Sequence, residues 1–164
     1  MRRGLNILAI CMLVITIAAA GAVLYGLKTL APQVVSVTTS VTPAAQALET
    51  FDALIAQCRD GLFAGRVFGD VQALDAQACS FVTYSVRLAN RGFFPAEWIS
   101  LEASPAAGDA LQLANGGANV LYAGAQGDLA LTLLTQASPA QQPRALEISC
   151  YVFGRKQTVR VQAE

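Results

Sequence analysis

Between Ser80 and Ala103 the chain alternates. Val82, Tyr84, Val86 and Leu88 share one face, and Thr83, Ser85, Arg87 and Ala89 share the other. That is the period-2 pattern of a half-buried strand. Asn90-Arg91-Gly92 breaks it with residues suited to a turn. After Pro95 a second strand is predicted from Ala96, with Ile99 and Leu101 facing inward and Ala96, Trp98 and Ser100 on the opposite face. The two read as neighbouring strands of an antiparallel β-sandwich.

The theme repeats downstream. Asp109 to Leu113 and Val120 to Tyr122 are predicted short strands, with the turn signal Asn115-Gly116-Gly117 between them. Asp128 to Thr135 alternates with Leu129, Leu131 and Leu133 inward. Gln136 to Pro143 is a polar, proline-containing loop. Arg144 to Phe153 then places Leu146, Ile148, Cys150 and Val152 on one face. Gly154-Arg155-Lys156 turns into a last strand, Gln157 to Val161. Leu62 to Phe68 reads as a first strand weakened by Gly65, and Val71 to Ala78 as a helical turn or a loop. About seven short strands with turns between them predict a mainly β fold, an immunoglobulin-like antiparallel sandwich over 62–164.

Upstream the period changes. Ala44, Leu48, Phe51, Ile55 and Cys58 recur at helical spacing. Thr42 suits an N-cap, Pro43 the first helical position and Gly61 a C-terminal stop. An amphipathic helix packing on the sandwich is predicted over 43–61. Residues 29–42 (Ala31 to Thr42 reads APQVVSVTTSVT) are an extended connector or short edge strand. Gly4 to Leu27 is a run of 24 residues without a charge, preceded by Arg2 and Arg3 and followed by Lys28. About 20 apolar residues cross a hydrocarbon core. Residues 1–28 therefore read as a single transmembrane anchor. The positive-inside rule leaves the N-terminus cytoplasmic and the C-terminal domain outside the plasma membrane. The rival reading is a cleaved signal peptide, since Ala18-Ala19-Ala20 presents a small-x-small site.

Composition narrows the chemistry. Hydrophobic residues make up 54% and charged residues 13% of the 164, and much of the apolar excess lies in the N-terminal run. From Pro32 onward there are 8 Lys and Arg against 11 Asp and Glu, a net charge of −3. A mildly acidic domain is poorly suited to a nucleic-acid backbone, so no nucleic-acid partner is expected. The chain has no histidine, which excludes every mechanism that needs an imidazole base or ligand from this chain.

The stretch YSVRLANRGFFPAEWISLEA resembles the strand, Asn-x-Gly, strand opening of bacterial immunoglobulin-like cell-surface modules. It is also similar to membrane-anchored late-embryogenesis-abundant type-2 domains, and VLYAGAQGDLALTLLT is similar to their Gly-containing loop and following strand. The resemblance covers about Phe81 to Val161. It implies a sandwich with a tethered interaction or spacer role, in which the strand after the Asn turn pairs with the strand before it. It carries over no catalytic residue.

Four cysteines are present, and Cys11 falls inside the apolar run. Cys79, Trp98 and Cys150 have the immunoglobulin Cys…Trp…Cys order, but Cys79 has the parity of Phe81 and Thr83, opposite to inward Val82. A Cys58–Cys79 bridge, a Cys79–Cys150 bridge and buried thiols all remain open. With no close cysteine pair and no His, no metal site is expected, and no motif calls for a cofactor. Asp60, Asp70, Asp75, Glu97 and Glu102 are acid/base candidates by residue type alone. Lys28 and Lys156 are poorly placed for a serine–lysine mechanism. Phe93, Phe94 and Trp98 form the candidate interaction patch, since aromatics are favoured binding anchors.

The expectation is a membrane-anchored extracytoplasmic sandwich with a non-catalytic protein-interaction or structural role in the cell envelope. Its partners would be the bilayer, through the N-terminal helix, and another envelope protein. The alternatives are an envelope enzyme or accessory subunit using carboxylates, or a domain secreted after signal cleavage.

Overall fold

The computed structural model describes residues 2–28, 31–114, 116–136 and 143–163. A helix, α1 (Arg2–Lys28), precedes two antiparallel sheets and a second helix. The side chains of α1 are described continuously over residues 10–26, and the large apolar ones among them are exposed. The sequence places a membrane span on this helix. Among the described residues no helix is long and apolar enough to cross a membrane.

The first sheet contains β1 (Gln33–Pro43), β3 (Ser80–Ala89), β8 (Gln126–Thr135), β5 (Asp109–Gln112) and β2 (Arg66–Val67), in that spatial order. A two-residue strand, β6 (Gly116–Gly117), also pairs with β8. Gly117 has φ +115° and a Cβ there would strike the Asp128 carbonyl, so only glycine fits this close pairing. The second sheet has the order β10 (Arg155–Ala163), β9 (Arg144–Val152), β4 (Ala96–Ala103) and β7 (Val120–Leu121).

The inward faces of both sheets build one core. Val82, Tyr84, Val86 and Leu88 meet Leu129, Leu131 and Leu133 within the first sheet. Ile99, Leu101, Leu146, Ile148, Cys150 and Val152 come from the second. These residues are the inward positions that the alternation assigns. A second core lies on the outer face of the first sheet, where α2 (Leu48–Arg59) sets Phe51 and Leu54 against Phe81, Leu134 and Cys79. Burial of this outer face is why Phe81 and Leu134 are apolar on what a two-layer pattern treats as the polar side.

Several elements depart from the sequence pattern. The strands before and after the Asn90 turn are not neighbours: β3 pairs with β1 and β8, whereas β4 lies in the other sheet between β9 and β7. The turn is a crossover between sheets. The connector is an edge strand of 11 residues, so the sandwich starts at Gln33 rather than Leu62. The expected helix from Pro43 starts late. Pro43 ends β1, a 3-10 turn covers Ala44–Gln46, and α2 follows with no side-chain cap at Ala47. Its buried face is Phe51 and Leu54 with Ile55 and Cys58 beside them, while Leu48 is exposed. Only Arg66–Val67 of the expected first strand is extended. Ten strands are present among the described residues rather than about seven. The Asn115 part of one turn and residues 137–142 of the polar loop lie outside the described residues.

Candidate interaction surface

Register brings three loops to one end of the sandwich. Gln33 pairs with Ala89 and Ala89 with Gln126, so the start of β1, the end of β3 and the start of β8 coincide. Ala96 pairs with both Val152 and Leu121, which adds the start of β4 and the ends of β9 and β7. Residues 90–95, 122–125 and 153–154 therefore cluster where the chain enters from α1.

Asn90 holds this end together. The residue is 1% exposed. The Nδ2 group donates to the Phe94 carbonyl at 2.8 Å and to the Leu121 carbonyl at 2.9 Å. Its Oδ1 accepts from the Gly92 N–H at 2.9 Å. The Asn90 main chain donates to the Ala125 carbonyl and accepts from the Gly124 N–H. An amide supplies both donors and an acceptor at one buried point, and no other residue of this size does so without charge.

The loops so fixed carry apolar rings outward. Phe93 is 70% exposed, Phe153 77%, Tyr122 71% and Trp98 73%. Phe94 is exposed at the 41% level and its ring centroid lies 5.0 Å from that of Phe153, tilted by 38°. Trp98 and Phe153 both have left-handed backbones, φ 53° and 49°, a strained conformation for bulky residues. At Trp98 this strain accompanies a register shift between Glu97 and Ser100. The bulge leaves Glu97 and Trp98 both outside and lets Ala96 as well as Ile99 point inward. Parity alone put Ala96 on the exposed face with Trp98, and the bulge corrects that.

The sequence-predicted patch of Phe93, Phe94 and Trp98 is thus an exposed set, with the rings of the first two at the loop end and Trp98 on the side of the second sheet. Sequence reasoning missed Tyr122, Phe153 and Asn90. The available signal was that each borders a glycine-containing turn.

The acid/base candidates are dispersed. Asp70 and Asp75 accept from the Gln72 and Gln77 N–H groups at 3.0 Å, closing their own turns. Glu102 pairs with Arg66 at 3.0 Å, and Asp60 and Glu97 are exposed. Lys156 is exposed on β10, and the side chain of Lys28 lies outside the described residues. Among the described residues no group of three or more His, Cys, Asp or Glu is placed to hold a metal ion. The buried charged pair is one the sequence did not single out. Both terminal guanidinium nitrogens of Arg144 donate to the Asp109 carboxylate, at 2.7 and 2.9 Å. Asp109 also accepts from the Ala106 N–H, and Arg144 donates to the Ser104 carbonyl. This pair fastens the first sheet to the second at the end opposite Asn90. On the surface, Arg87 holds Asp128 below the usual carboxylate range, chiefly by a hydrogen bond from its side chain.

All four cysteines are free thiols. Cys58 and Cys79 belong to the cluster under α2, and Cys150 to the core between the sheets. The opposite parity of Cys79 and Cys150 is realised in these separate clusters. Burial raises the pKa of Cys58, Cys79 and Cys150, and the nearby Asp75 charge adds to the rise at Cys79. Thiols held neutral are weak nucleophiles.

No family model matches the chain, and no curated protein sequence matches it.

Proposed function

We propose that this protein is a membrane-tethered, immunoglobulin-like β-sandwich module of the cell envelope that acts by surface contact rather than catalysis. The sandwich lies outside the plasma membrane with the N-terminus in the cytoplasm. The observation that carries the reading is α1 itself. Its uncharged run is bracketed in the sequence by Arg2 and Arg3 at one end and Lys28 at the other, and its described large apolar side chains are exposed.

The contact surface is the aromatic set Phe93, Phe94 and Trp98 with its neighbours. Large rings left in water are commonly binding anchors. The scattered acids, each engaged locally or solvated, favour this reading over acid/base chemistry. Of the protein partner's chemistry, the exposed Trp98 and Tyr151 on the second sheet favour an apolar complement on another envelope protein.

The test uses membranes from cells expressing the full chain. Alkaline carbonate should leave the protein in the membrane pellet, and protease added to spheroplasts should digest the sandwich. Release by carbonate, or protection from protease, would overturn the tethered topology.

A further inference from the structure

Four exposed rings gather at one end of the sandwich, while Trp98 and Tyr151 are exposed on the side of the second sheet. Loops 90–95, 122–125 and 153–154 carry Phe93, Phe94, Tyr122 and Phe153 outward, and register sets all three beside Gln33. At the opposite end, loop 104–108 holds neither an aromatic nor a charged residue. Only residues 29–32 separate α1 from β1. Five Cα steps span at most about 18 Å, so the ring-bearing end cannot lie far from the end of α1.

Charge follows the same asymmetry. The tip carries the exposed cations Arg91 and Arg155, and residues 90–95, 122–125 and 153–155 contain no acid; one row in, Lys156 lies level with Tyr151 and with the exposed Glu97. The domain as a whole is acidic, so this is a local reversal of sign. A cavity of about 580 Å³ also opens between Ala22, Val23 and Gly26 of α1 and the rings of Phe93, Phe94 and Phe153, with Arg155 at its margin. Its walls are almost wholly apolar. Val23 lies five residues before the end of α1, which is about 7–8 Å along the helix axis. That matches the depth of roughly 5–10 Å to which interfacial elements bury their apolar faces.

We propose that this end of the sandwich docks on the surface of the bilayer that holds α1. Phe93, Phe94, Phe153 and Tyr122 enter the boundary between headgroups and acyl chains, Arg91 and Arg155 meet lipid phosphates, and acyl chains fill the space beside Val23. The inference rests on α1 being an anchor, and it assigns the tip to lipid while leaving Trp98 and Tyr151 on the side for a protein. Aromatic rings and basic side chains are the residue types enriched at that boundary. Docking there fixes the orientation of the sandwich relative to the bilayer.

The chain has one tryptophan, so a reporter can be moved. In a Trp98→Phe background, Phe153→Trp places the sole indole at the tip, at a position 77% exposed and already aromatic. The full-length variant is incorporated into protein-free vesicles of zwitterionic lipid containing a fraction of anionic lipid. The expected result is a blue shift relative to detergent-free unfolded chain and loss of most of the emission when the lipids are brominated near the headgroup. The wild-type chain, reporting from Trp98, should be quenched much less. Adding Arg91→Glu and Arg155→Glu should weaken quenching at the tip. Water-like, unquenched emission from position 153 would overturn the proposal and leave the tip to a protein partner. A carbonate wash of the same vesicles reads the anchor separately: retention without quenching defeats docking alone, and quenching followed by release defeats the anchor alone.

Discussion

Replacing Asn90 by Asp changes one buried atom and almost no volume. The Nδ2 group that donates to the Phe94 and Leu121 carbonyls becomes an oxygen, while the acceptor for the Gly92 N–H is kept. Each carbonyl stranded without a donor costs about 1–3 kcal/mol, so the loss of both costs roughly 2–6 kcal/mol before any repulsion between oxygens. For a chain of 164 residues at about 2–4 °C per kcal/mol, the melting temperature should fall by roughly 5–20 °C. The fall should also depend on pH. Two carbonyl oxygens facing the new carboxyl disfavour its charged form, which raises its folded-state pKa above the unfolded value. The stability that the neutral form contributes is then present in full below the ordinary carboxylate range and is lost as pH rises through the raised value. Thermal unfolding of the full-length protein, followed by circular dichroism in acid and at neutral pH, reads both effects. Arg91→Ala, at the exposed next position, is the control. A variant that melts with the wild type at neutral pH would refute the assignment of Asn90 as the knot joining the two sheets at this end.

Asp109→Ala leaves Arg144 buried and unpaired, and should destabilise the fold by about 3–5 kcal/mol. It should do far more damage than Asp128→Ala, whose pair with Arg87 is solvent-exposed, and equal melting temperatures for the two would contradict this. Leu131 and Ile148 face each other's layer in the central core, 0% and 1% exposed. Truncating either to Ala should cost roughly 2–5 kcal/mol in denaturant unfolding, and an unchanged midpoint for both would mean the register is wrong. Cys79 and Cys150 should resist a thiol-specific reagent at neutral pH until the protein is unfolded, with Cys58 reacting first of the three. Because burial raises these pKa values, the stability they contribute is complete below the ordinary thiol range. It is lost as pH rises through the elevated folded values, so alkaline unfolding should be right-shifted relative to thiol titration in denaturant. Rapid native-state labelling of Cys150 would rule that out.

The inward faces of β3, β8 and β9 were legible because one buried side imposes strict alternation, as Leu129, Leu131 and Leu133 do. Pairing was less legible. Nothing local to Asn90-Arg91-Gly92 distinguishes a hairpin from a crossover, since the deciding bond runs to Leu121, 31 residues on. β1 hid as a connector because an edge strand presses only part of one face on the core, so QVVSVTTSVT shows no clean alternation. At Trp98 a single left-handed residue reverses parity for Ala96, and periodicity has no means of signalling a bulge. The rings of Phe93 and Phe94 were visible as candidates, whereas Phe153 and Tyr122 join them only through the pairing of Ala96 with Val152 and Leu121. The Asp109–Arg144 pair, 35 residues apart, was equally invisible to spacing.

The directions of the first and last strands have a mechanical consequence. β1 begins at the ring-bearing end, beside Ala89, and β10 finishes at the other, with Ala163 paired to Arg144. A tensile force applied between the segment before Gln33 and the segment after Ala163 therefore runs along the strands. Ladder hydrogen bonds lie across the strand axis, so this force loads the pairs from Gln33↔Ala89 to Pro43↔Ser80 together in shear, rather than peeling them one at a time. Pulled lengthwise, the edge strand behaves as a clamp, and its rupture requires the whole ladder to slip at once.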